Sequence, residues 1–153
     1  MTINTTSGSK FYIGGTTASD TQTEFEALTW TEVGEVENFG EFGDESSVVT
    51  FAAVGDARVR KLKGARDAGT LVLVVGRDAA DAGQDALKAA ELTKYDYNFK
   101  VEIADKSSGG TNSVQYFRGM VMSKRDNLGA NDNVVRTTFN IAINTAILEV
   151  EGS

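Results

Sequence analysis

The sequence predicts a mainly β fold with one flanking helix, and three observations carry that prediction. Residues 97–103 alternate strictly, Tyr97, Phe99, Val101 and Ile103 against Asn98, Lys100 and Glu102, which is the period of a strand with one dry face and one wet one. No proline occurs among the 153 residues, where average usage of about 5% predicts roughly eight; a chain rich in paired strands has little room for a residue that cannot donate to a ladder. Helical spacing is convincing in one stretch, about residues 79–93.

In chain order, Lys10–Ile13 is a short apolar segment stopped by Gly14-Gly15. Residues 25–36, with Leu28, Trp30 and Val33, read as a strand. Ser47–Val54 is β-branched and aromatic, which favours a strand. Thr70–Val75 is a continuous apolar run between Gly69 and Gly76 and predicts a strand buried on both faces. Residues 114–124 and about 134–148 are two longer strands. In the last of them Val135, Thr137, Phe139, Ile141 and Ile143 share one face, and Arg136, Thr138, Asn140 and Ala142 the other. The predicted helix is capped by Asp78, with Asp81 in the first turn. Its apolar stripe is Ala79, Ala82, Ala86, Leu87 and Ala90; Asp81, Gln84, Asp85, Lys88 and Glu91 form its wet face. Loops are expected at Gly40–Ser47, at Asp105–Ser113 and at Asp126–Asn133, which reads DNLGANDN.

Composition narrows the function classes. The chain suits one domain, 1–153, with a real hydrophobic core. It lacks cysteine and histidine. Disulfides, thiolate nucleophiles, Ser-His-Asp triads and the usual imidazole or thiolate metal sites are therefore excluded. No P-loop or dinucleotide fingerprint is present. The oxygen-rich cluster Asp126, Asn127, Asn131, Asp132 and Asn133 departs from EF-hand spacing and suits a turn. Neither an enzyme nor a bound cofactor or metal is expected. The longest aliphatic run, Leu71–Val75, is too short to span a bilayer. The polar start, Met1–Lys10, lacks the pattern of a signal peptide, so cytoplasmic synthesis without targeting is expected. The net charge of −7 does not suit a protein that grips nucleic acid by its phosphates.

Charge is segregated along the chain. Between Lys10 and Arg58 there are ten acids and no basic residue; Arg58, Arg60, Lys61, Lys63 and Arg66 then follow with no acid among them. Two readings stay open. The runs are solvated surface, or they are complementary patches that meet between neighbouring copies.

The order of segments resembles the tail tube proteins of long-tailed phages and gene transfer agents. The resemblance rests on GSKFYIGG, on EFEALTWTEVGEVENFGEFGDE, and on VVTFAAVGDARVRKLKGARDAGTLVLVVG, followed by one helix and a hairpin of long strands. It implies a β-sandwich or barrel-like fold with a flanking helix and a stacking arm over about residues 40–69. It implies head-to-tail hexameric rings stacked into a virion tube that conducts DNA, with tape measure, tail terminator and distal tail proteins as further partners and DNA only in passage, not bound specifically. A membrane partner is not implied. The candidate interface residues are Glu35, Glu37, Glu41, Asp44, Glu45, Arg58, Arg60, Lys61, Lys63 and Arg66. The competing readings are a tube protein of a secretion or contractile injection apparatus, and a monomeric carbohydrate-binding sandwich built on Trp30, Tyr95, Tyr97 and Tyr116.

Overall fold

A computed structural model describes residues 3–153, and its architecture follows from how one long strand is shared. The strands are β1 (Lys10–Ile13), β2 (Thr31–Val33), β3 (Val36–Asn38), β4 (Glu45–Phe51), β5 (Arg60–Asp67), β6 (Thr70–Gly76), β7 (Tyr97–Ile103), β8 (Ser113–Asn127), β9 (Arg136–Ile143) and β10 (Leu148–Val150). The helices are α1 (Gln22–Glu26) and α2 (Ala82–Glu91). Eight strands form one antiparallel sheet in the order β2-β1-β7-β8-β9-β6-β3, with β10 also on β8. β4 and β5 form a separate two-stranded sheet.

The first half of β8 pairs with β7, Ser113 opposite Ile103 through Gly119 opposite Tyr97. The second half pairs with β9, Gly119 opposite Ile143 through Asn127 opposite Arg136. A bulge between Val121 and Ser123 bends β8 where it passes from one group of strands to the other; a strand that switches sheets does so at such a bend. The two groups close on one core. Phe11, Phe99, Val101 and Phe117 come from the β1-β7 side, and Leu71, Leu73, Phe139 and Ile141 from the β6-β9 side. Each such side chain contributes roughly 1.5–3 kcal/mol on burial.

The sheet curls because its two end strands are neighbours in sequence. Only Gly34 and Glu35 separate β2 from β3, and three Cα steps of 3.8 Å span at most about 11 Å. This seam is tied by α2. The wholly buried Gln84 donates from Nε2 to the Gly34 carbonyl at 3.1 Å and the Gly76 carbonyl at 2.9 Å. Its Oε1 accepts from the Asp78 amide at 3.0 Å. Asp81 caps α2 by accepting from the Gln84 amide at 2.9 Å and accepts the Gly34 amide at 3.1 Å on the same oxygen. Gly83 lies so close to β2 that an added Cβ would collide with the Glu32 carbonyl oxygen.

Several expectations are corrected. Residues 25–36 are not one strand: Thr21 caps the short helix α1, accepting from the Glu24 amide at 3.3 Å, and the chain turns at Ala27 and Leu28 before the brief β2 and β3. The helix predicted over 79–93 is trimmed to Ala82–Glu91, capped by Asp81 rather than Asp78. Its buried residues are Gly83, Gln84, Leu87 and Ala90, so Gln84 belongs to the inner face. β6 is not buried on both sides. Leu71, Leu73 and Val75 are sealed while Val72 is 40% exposed, because the opposite face carries no second layer. The long final strand is broken after Ile143, where the Asn144 amide bonds the Arg118 carbonyl at 2.9 Å and the Arg118 amide donates to the Thr145 hydroxyl at 2.9 Å.

Candidate assembly surface

Two features stand apart from an otherwise satisfied molecule. No buried side-chain polar atom lacks a partner among the described residues, yet the β4–β5 hairpin is exposed on both faces. Cross-strand partners point to the same side of a ribbon. Val49 opposite Leu62 and Phe51 opposite Arg60 therefore form one face, with Val49, Phe51 and Leu62 exposed by 48, 57 and 62%. Val48 opposite Lys63 and Thr50 opposite Lys61 form the other. The hairpin is amphipathic, apolar on one side and cationic on the other. A two-stranded ribbon alone is marginal in water, and seven residues of β4 extend it by roughly 23 Å.

The base of the hairpin is acidic. Glu45 stands opposite Asp67, with Asp44 and Glu41 just before them in the chain. Arg66 donates to the Asp44 carboxylate at 2.9 Å. Arg60 reaches Asp56 near the tip at 3.2 Å. Two of the five arm cations, Arg60 and Arg66, thus find acids within their own chain. Arg58, Lys61 and Lys63 form no ion pair among the described residues. Glu37 pairs with Arg136 at 2.7 Å. Glu35 sits in the seam turn at φ 58°, its carbonyl accepting the Gly76 amide at 2.8 Å. The chain does not bring Glu35 and Glu37 to the arm.

Beside the hairpin base lies an open groove of about 400 Å³. Its apolar floor is Phe39, Phe42, Val101 and Ile103, with Glu41 and Gln115 among its polar lining. A second feature is an unpaired edge. β7 ends its pairing at Gly119, so residues 120–127 of β8 have a strand on the β9 side alone.

The aromatic residues do not make an open platform. Tyr116 is buried and stacks on Phe25 with centroids 5.0 Å apart, and the Trp30 indole N–H donates to the Phe25 carbonyl at 3.0 Å. Lys100 Nζ covers the Tyr12 ring at 4.2 Å and the Trp30 ring at 5.2 Å; its burial lowers the ammonium pKa, a shift the Glu102 charge partly offsets. Of the oxygen-rich cluster, Asp126 and Asn127 are the last residues of β8 and do not lie in the expected loop, and Asp126 is occupied by the Thr137 hydroxyl at 2.7 Å and Lys124 at 3.0 Å. These contacts, the Thr137 bond foremost, hold its carboxyl below the ordinary value. No helix among the described residues is long and apolar enough to cross a membrane.

The face of Val49, Phe51 and Leu62, and the groove built on Phe39 and Phe42, are absent from the charge-based candidates. Their signal was in the sequence: apolar residues at 49 and 51, and Leu62 set among cations, follow strand alternation.

The curled antiparallel sheet thus leaves a core-free hairpin and an open strand edge exposed, and an open edge is a template for a further strand. The chain belongs to the phage tail tube protein family, which it matches over residues 1–146. Two solved structures share the fold. One comes from the cryo-EM structure of the anti-feeding prophage baseplate, six-fold symmetrised, at TM-score 0.71 and 12% identity, covering 99% of this chain and 98% of the other. The other is the SPP1 tail tube, determined by solid-state NMR and cryo-EM, at TM-score 0.62 and 12% identity, covering 94% and 76%. No curated protein sequence matches the chain.

Proposed function

We propose that the protein is a virion component that assembles with itself, head to tail, into hexameric rings, and that stacked rings form a tail tube through which DNA passes. In this reading the whole chain acts as one domain without catalytic activity or cofactor. The carrying observation is the β4–β5 hairpin, with no core of its own on either face. A segment with so little support in the monomer gains most from burial against another copy. The one-sided edge of β8 supports the same reading, because an open edge is a template for a further strand, and a head-to-tail contact that closes by rotation uses every such edge. The six-fold symmetrised assembly containing one fold relative supports six as the ring number. Six copies at −7 carry 6 × −7 = −42 formally, which disfavours retention of DNA phosphates.

The test is negative-stain microscopy of the purified protein with light scattering across concentration. Hollow tubes or rings are expected without added cofactor; a monomer at every concentration overturns the reading. A tube of a contractile injection apparatus is a second reading, favoured by the near-complete overlap with the anti-feeding prophage structure. Particles isolated from the producing cells separate the two, since a DNA-filled head accompanies the first and not the second.

A further inference from the structure

We propose that the Glu35 carboxylate is a contact point for a second copy of this chain, where it meets an ammonium or guanidinium group at the end of β6 farthest from the hairpin. The inference rests on the self-assembly reading and adds a residue that the fold does not require.

Glu35 is the one residue other than glycine with a positive φ among the described residues, at 58°. An L side chain in that region crowds its own backbone, a strain that glycine does not carry. The fold holds it there. The Gly34 amide donates to Asp81 at 3.1 Å and the Gly34 carbonyl accepts from Gln84 at 3.1 Å, while the Glu35 carbonyl accepts the Gly76 amide at 2.8 Å. These bonds fix the peptide groups on both sides of the Glu35 Cα and so its dihedral angles. Its side chain is exposed, and its carboxylate forms no ion pair among the described residues. Glu37, two residues on, is by contrast paired with Arg136 at 2.7 Å. Strain kept for a side chain that the subunit itself does not use points to a contact made outside it.

The surroundings fit a protein surface. The Arg77 amide, next after Gly76, donates to the Val135 carbonyl at 3.0 Å. The Glu35 turn therefore lies beside the β8–β9 turn, where Leu128 and Val134 are exposed by 60 and 59%. A charge flanked by large exposed apolar side chains is the mixture that contacts between proteins cover. The seven residues of β6 separate this rim from the hairpin base by roughly 20 Å, so the contact is distinct from any the hairpin makes. A head-to-tail assembly presents a different surface of the next copy to each end of a subunit. Since every copy carries a net charge of −7, an unanswered acid between copies is repulsive, and the group that meets Glu35 is a cation.

Two substitutions separate the charge from the strain. Glu35→Gln keeps the side chain and its backbone strain but removes the charge; Glu35→Gly removes both. Urea unfolding of dilute protein reads stability, and light scattering across concentration reads assembly. Glu35→Gln should leave the unfolding midpoint unchanged and Glu35→Gly should raise it, yet both should need a severalfold higher protein concentration to assemble. High salt should erase that difference from the wild type. A general effect of charge has the opposite sign, because losing one acid lowers the repulsion between copies and favours assembly. Assembly of Glu35→Gln at or below the wild-type concentration overturns the inference and leaves self-assembly standing. So does a lowered midpoint in Glu35→Gly, which would show that the side chain serves the fold. A wild-type protein that stays monomeric at every concentration overturns both.

Discussion

Gln84 does the work of a clasp. Its side chain satisfies the carbonyls of Gly34 and Gly76 and the amide of Asp78, joining the two ends of the sheet to the helix entrance. Leucine there leaves those three backbone groups without partners, and each unmet buried group costs about 1–3 kcal/mol. Gln84→Leu should therefore lower stability by about 3 kcal/mol, read as a reduced midpoint in urea unfolding. Gly83→Ala pushes a methyl into the β2 backbone and should cost about 1–3 kcal/mol by the same measurement, as overpacking does. Asp126 adds an acid dependence. Its folded pKa is depressed, so its stabilisation is full above the ordinary value of 3.8 and disappears as pH falls through the lower folded value. Asp126→Asn should be the less stable protein at neutral pH and converge on the wild type as pH falls below about 4, which flattens the acid limb of its stability–pH profile. Sequence reading misplaced Gln84 by judging its polarity rather than its position. It lies three residues before Leu87 and so shares that residue's face; a polar residue on the stripe was the legible sign of a buried tie.

At the scale of elements, patterning was most reliable where one side of a strand meets the core. β1 and β7 match their predicted extents, and β9 keeps its predicted faces. The errors fall where local chemistry competes with a run of apolar residues. Thr21 through Glu24 is the sequence of a capping box, and it starts α1 just ahead of what strand composition suggested was extended chain, so that Phe25 and Glu26 are helical. The apolar run of β6 gave no sign that one side faces outward, because continuous Val and Leu are equally suited to burial in an assembly. The hairpin is the element whose behaviour should change most. β4 and β5 lack a packed layer, so their amides should exchange nearly as fast as loops in the monomer, well before those of β8 and β9. In assembled protein the same amides should be protected. Hydrogen exchange compared across the assembly concentration measures both states; equal protection in the two would show that the hairpin stays solvent-exposed in the tube.

For the whole molecule, the segregation of charge was visible in the sequence, but its meaning depended on folding. Folding divides the basic run: Arg60 and Arg66 acquire acids of their own chain, while Lys61 and Lys63 stay together on one side of the hairpin with no ion pair among the described residues. Charge order alone could not show this, because a strand sends alternate residues to opposite faces and the bulge between Ser46 and Val48 resets the register before Arg66. The unpaired lysines are therefore the proper target for a charge test. Each exposed contact contributes only about 0.2–1 kcal/mol, yet a tube repeats it in every subunit. Lys61→Glu with Lys63→Glu should slow polymerisation severalfold and leave the monomer fold intact by circular dichroism. Raising salt should slow the wild type in the same direction, since a shorter screening length weakens attraction between the stem and acidic surfaces of other copies. The double variant should lose that salt sensitivity or reverse it. If it polymerises at the wild-type rate in low salt, the cationic side of the hairpin faces solvent in the tube, and the apolar side alone directs assembly.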